Sequence, residues 1–108
     1  MQSEPVAVLI HYRAKPEMAD VAARELSALI TTVASEEKAC ISINLHRDSE
    51  DPSSLMLYER WVDKESYLGE HMRTPHILSF IEKAGGFLVG PPEISMWESL
   101  SEVEGARR

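Results

Sequence analysis

Hydrophobic residues recur along the chain with two different periods, and the switches between them outline its elements. Residues 6 to 14, VAVLIHYRA, are apolar on both parities at their start, the pattern of a strand with both faces covered. From about 16 to 36 the period lengthens, with Met18, Val21, Ala22, Leu26, Leu29, Ile30 and Val33 at helical spacing. Pro16 suits a first helical turn, and Glu17 and Asp20 favour its positive end. Residues 41 to 47, ISINLHR, alternate strictly: Ile41, Ile43 and Leu45 share one face, Ser42, Asn44 and His46 the other. The turn formers of DSEDPSS follow, and LMLYERWV at 55 to 62 reads as a third strand, so the two strands form a hairpin. Asp63 can cap a short helix through Met72, and Thr74 with Pro75 caps and opens another that Gly85 and Gly86 end. Beyond GPPE, residues 94 to 98, ISMWE, form a last strand, and 99 to 108 read as a polar, frayed tail. The order βαββαβ predicts an α+β, ferredoxin-like fold: a four-stranded antiparallel sheet with both helices on one face.

Length sharpens this picture to one domain over 1 to 108, with its core between 5 and 98, since 108 residues leave no room for a second core. At 44% apolar and 27% charged, the composition is that of a chain that packs a core. A formal net charge of -7 with scattered Lys and Arg argues against a nucleic-acid partner. The longest apolar run, residues 6 to 10, is too short to span a bilayer, and no basic segment precedes it, so no membrane association and a cytoplasmic location are expected. The single cysteine, Cys40, excludes an internal disulfide and stands just before an apolar strand, as a small core or edge residue would.

Helices on one face leave the other face of the sheet open, yet strands one, three and four carry apolar or aromatic residues on both parities. A second copy is the economical cover for such a patch. A homodimer is therefore expected, its sheets packed face to face around a cavity.

The stretch YERWVDKESYLGEHMRTPHILSF, 58 to 80, combines YERW on a strand, a helix ending in His71, then TPH and Phe80, with GPPE and a closing strand after it. Together with KP before helix one and RDSEDP in the hairpin, this pattern resembles the antibiotic biosynthesis monooxygenase domain family, and its quinol monooxygenase members, over roughly 5 to 98. The resemblance implies a protomer paired into a dimeric α/β barrel, with a pocket between sheet and helices. It also implies oxygenation of a small phenolic, quinol or polyketide-type aromatic substrate by dioxygen, with no metal, flavin or haem cofactor. A deprotonated electron-rich substrate can itself reduce dioxygen, so the protein need only bind, orient, deprotonate and exclude water. GGFLVG at 85 to 90 lacks the glycine spacing and context of a dinucleotide loop.

Trp61 matches the pocket aromatic of the polyketide-oxidising members, where it would stack on a flat substrate; a core tryptophan is the competing reading. Tyr67 matches a pocket tyrosine that could anchor a phenolate, or it packs a helix. Leu57 stands where those members carry an asparagine, which removes one polar contact. Glu59 shares a strand face with Trp61, so a buried carboxylate needs a partner, and His71 is the natural one. The pair is either a general base, His71, oriented by Glu59, or a structural clasp between helix and strand. His76, in the first turn of its helix, is expected neutral and near the cavity. His71 and His76, five apart across a proline, do not share a helical face as a zinc pair would. His11, His46 and Asn44 are polar residues on apolar strands that could line the cavity. Three other readings stay open: a haem-binding or haem-degrading protein, a small-carbonyl isomerase, and a ligand-binding protein without turnover.

Overall fold

The computed structural model, which describes residues 5 to 107, places the apolar β1 (Val6–Arg13) at the centre of the sheet, where both its edges are used. It pairs antiparallel with β3 (Asp51–Trp61) on one side and β4 (Glu93–Glu98) on the other. With β2 (Cys40–Asp48) on the far side of β3, the strand order is β2-β3-β1-β4. The helices are α1 (Ala19–Glu36), α2 (Lys64–Leu68) and α3 (Pro75–Ala84), with a 3-10 turn, His71–Arg73, between the last two. This is the ferredoxin-like α+β arrangement the patterning predicts.

Register explains the two faces. Val6↔Trp61, Val8↔Glu59, Ile10↔Leu57 and Tyr12↔Leu55 are cross-strand partners whose side chains point to the helices, and β4 adds Ile94 and Met96. Against them pack Ala22, Leu26, Leu29 and Val33 of α1 and Ile77 and Phe80 of α3. The opposite face carries Ala7, Leu9, His11, Asn44, His46, Met56, Tyr58, Arg60 and Trp97. Among the described residues no helix covers it, and Trp97 stands 57% exposed there.

Three boundaries and one side-chain face differ from the sequence reading. Helix one begins at Ala19, not Pro16, because Met18 N–H donates to the Lys15 carbonyl at 2.9 Å and Glu17 takes a left-handed φ of 66°, which closes a turn instead of a helix. Strand three begins at Asp51, inside the stretch read as a turn: Asp48 pairs with Asp51, and a register irregularity beside Arg47 absorbs Pro52 and the two serines. Ile41 leaves the face of Ile43 and Leu45, because a shift between Cys40 and Ser42 bulges it out to 46% exposure. The helix after Asp63 stops at Leu68; a Cβ on Gly69 would lie 2.9 Å from the Glu65 carbonyl, so only glycine fits this break. Residues 99 to 107 hold no regular structure, with Arg60 meeting Glu102 at 3.3 Å. Among the described residues no helix is long and apolar enough to cross a membrane.

Candidate functional site

Between the helices and the inner sheet face lies a cavity of about 440 Å³. Its walls are Ile10 and Leu57 from the sheet, Leu29, Ile30 and Val33 from α1, and Ile77, Phe80 and Ile81 from α3. Gly90, Pro91 and Pro92 close one side, Gly90 with a left-handed φ of 62° that favours glycine. Four side chains bring polar atoms to this apolar chamber: Tyr12, Glu59, Tyr67 and His71.

Each is fixed by an element and a partner. Glu59 is buried on β3, and its Oε1 accepts a 2.8 Å hydrogen bond from the Trp61 indole N–H, two residues along the same strand face. Trp61, fully buried, stands behind the cavity instead of lining it. Its ring lies 4.6 Å from that of His71 and 5.7 Å from that of Tyr67, and Tyr67 stacks on His71 at 5.1 Å. Thr74 locks the segment: its hydroxyl donates to the His71 carbonyl at 2.9 Å and accepts from Ile77 N–H at 3.4 Å.

The expected Glu59–His71 pair does not form. His71 Nδ1 instead lies 2.9 Å from both carboxylate oxygens of Glu37, the C-cap residue of α1, because the 3-10 turn brings the imidazole to the helix end while the indole occupies Glu59. Glu37 Oε2 is also 2.6 Å from His76 Nε2. The sequence reading missed Glu37, although an acidic residue at a helix C-terminus, against the dipole and with no base in the last turn, is a signal that it has partners elsewhere.

The bonds leave reactive atoms free. Among the described residues no protein group bonds His71 Nε2, Glu59 Oε2 or the hydroxyls of Tyr12 and Tyr67, and no buried side-chain nitrogen or oxygen lacks both a partner and access. These four atoms therefore open to the cavity. Burial keeps His71 below the usual histidine range, with the Glu37 hydrogen bond and charge opposing and the nearby His76 reinforcing the shift. Burial pushes the Glu59 carboxyl up to about 7, against the Trp61 hydrogen bond and with repulsion from Glu37. Burial, and then the Glu59 charge, drives the Tyr12 and Tyr67 phenols well above their ordinary range. Cys40 is likewise raised to about 11 by burial first, then Glu59 and Glu37, so it stays a thiol.

Glu59, Tyr67 and His71 thus meet in one chamber, with Trp61 as their backing. His76 sits outside, in a small groove with Glu25, Thr32 and Lys83. His11 and Asn44 lie on the opposite sheet face, where His11 Nε2 is 2.7 Å from Ser54 Oγ. Leu57 presents an aliphatic wall to the cavity. Among the described residues no group of three His, Cys, Asp or Glu side chains is arranged to hold a metal ion.

Comparison with known proteins agrees with this fold. The sequence model of the antibiotic biosynthesis monooxygenase family matches residues 5 to 83. Among solved structures, PA3566 from Pseudomonas aeruginosa is 28% identical, with 94% of this chain and 99% of that one covered and a TM-score of 0.82. Rv0793 from Mycobacterium tuberculosis is 28% identical, with 94% and 100% covered and a TM-score of 0.80. A conserved protein from Methanosarcina mazei, 24% identical over 90% of this chain and 94% of that one, has the same fold with a TM-score of 0.79. No curated protein matches the sequence.

Proposed function

The chain belongs to the antibiotic biosynthesis monooxygenase family, and on that premise we propose that it is a cofactor-independent monooxygenase acting on a small phenolic, quinol or polyketide-type aromatic. One observation carries this reading: His71 is tied at Nδ1 to a carboxylate, while its Nε2, bonded by no protein group, faces an apolar cavity. A proton on Nδ1 leaves the lone pair on Nε2, the state a general base needs. The substrate hydroxyl passes its proton to His71 Nε2, and the electron-rich anion reduces dioxygen. For a phenol bearing a ring methylene, one oxygen atom ends on that carbon as a carbonyl and the other leaves as water, so no outside reductant is needed. Glu59, protonated over part of the neutral range, supplies a proton to the departing oxygen. The Tyr67 hydroxyl anchors the ring oxygen, and Trp61 holds Glu59 and the two rings in place. The active form is a homodimer in which the exposed sheet face around Trp97 meets its copy.

Oxygen uptake against a panel of hydroquinones and anthrones tests the reading. His71→Asn is expected to lower kcat by about a hundredfold or more. Uptake equal in parent and variant removes His71 as the base. A folded protein that binds these rings and consumes no oxygen is a binding protein, not this enzyme.

A further inference from the structure

Three elements converge on one carboxylate just outside the cavity wall. Glu37, at the end of α1, meets His71 from the 3-10 turn at 2.9 Å and His76 from α3 at 2.6 Å. The His71 side chain is 3% exposed and that of His76 16%, so one negative charge serves an inner imidazole and an outer one. A carboxylate at this helix end faces the negative pole of the dipole, and the two ring N–H donors are what offset that.

We propose that Glu37 is the positioning residue for His71, and that His76 is a second partner competing for the same charge, which makes the proton affinity of the inner imidazole depend on the protonation of the outer one. This deepens the reading of His71 as the base and rests on it. Glu37 accepts from Nδ1–H of His71 and so selects the tautomer whose Nε2 lone pair faces the cavity. When His76 gains a proton, its positive charge neutralises Glu37 from outside, and an imidazolium at His71 loses its counter-charge. The two rings share one counter-charge, so a change at His76 is felt at His71. The other groups around His71 are Glu59 and Trp61 of β3 and Tyr67 of α2; Trp61 is uncharged, and Glu59 and Tyr67 share its cavity. Around His76 stand Glu25 of α1 and Lys83 of α3, whose charges offset each other in a 2.9 Å pair, with Ser79 and Thr32 uncharged beside them. The Cys40 thiol is near enough to Glu37 to feel its charge and remains protonated.

Nitrogen-15 NMR of the histidine rings across the histidine range checks this without any substrate. In the parent, neutral His71 is expected to carry its proton on Nδ1. In His76→Gln the proton affinity of His71 rises about threefold or more, and in Glu37→Gln it falls about tenfold or more with loss of the tautomer preference. If Glu37→Gln does not fold, His76→Gln decides alone, since His76 is the outer, more exposed partner. A His71 titration unmoved by His76→Gln, or a neutral His71 protonated at Nε2, overturns the inference. Coupled titrations in a protein that consumes no oxygen uphold the coupling and remove the reaction. His71-dependent uptake with uncoupled titrations does the reverse.

Discussion

Replacing Glu59 by glutamine keeps the size of the side chain and removes its charge, and the structure fixes how the effect must vary with pH. Glu59 is 2% exposed, and its carboxyl is raised from 4.5 to about 7 in the folded protein. Each tenfold in proton affinity is about 1.4 kcal/mol, so ionising Glu59 in place costs the fold roughly 3 kcal/mol. The direction follows from proton counting. Between about 4.5 and 7 the folded state holds the proton more tightly than the unfolded chain, so this contribution is fully present below the unfolded value and is lost as pH rises through 7. Glu59→Gln has no such proton. Urea denaturation of both proteins is therefore expected to show the variant gaining on the parent by up to about 3 kcal/mol between mildly acidic and mildly alkaline pH. His71, whose shift has the opposite sign, is common to both and largely cancels in the difference. A difference that stays flat with pH would mean that Glu59 is not a buried, proton-holding carboxyl, and the acid assigned to it would go.

Two further outcomes follow from other contacts. Trp97, 57% exposed on the uncovered sheet face, is expected to anchor the contact between copies; Trp97→Asp should weaken dimerisation by about 2 kcal/mol or more, roughly thirtyfold, in sedimentation equilibrium. A parent that sediments as a monomer at every concentration ends the dimer reading. Thr74→Ala removes the cap of α3 and the hydroxyl bond to the His71 carbonyl, so thermal unfolding should report a loss of about 1 kcal/mol, restored by Thr74→Ser; equal stability of all three would show the cap idle.

Strand parity made most of the fold legible. Val8, Ile10 and Tyr12 on one face and Leu9 and His11 on the other are set by alternation alone, and the observed register keeps that division. Ile41 escaped because one bulged residue flips a side chain, and alternation carries no mark of a bulge. Pro16 misled because a proline suits a helix start and a turn equally, and the left-handed Glu17 decided for the turn. At the site, burial of Glu59 beside Trp61 is readable from their spacing, but the partner it finds is the indole, on Oε1, and not a histidine. The carboxylate that His71 does use lies 34 positions away in sequence, and 39 from His76, so only the folded chain assembles it. His11 and Asn44 stand apart from the helix-side cavity, because polar strand positions in the sequence do not show which face the helices cover; on the open face His11 lines a separate groove with Leu9, His46 and Glu93.

The most direct test is a crystal structure with a phenol that dioxygen does not oxidise bound to the protein. The account predicts the ring in the helix-side cavity, stacked near Tyr67, with its oxygen at hydrogen-bond distance, about 2.6–3.2 Å, from His71 Nε2. A phenol seated on the opposite sheet face beside His11 and Asn44, with the helix-side cavity left empty, would contradict it.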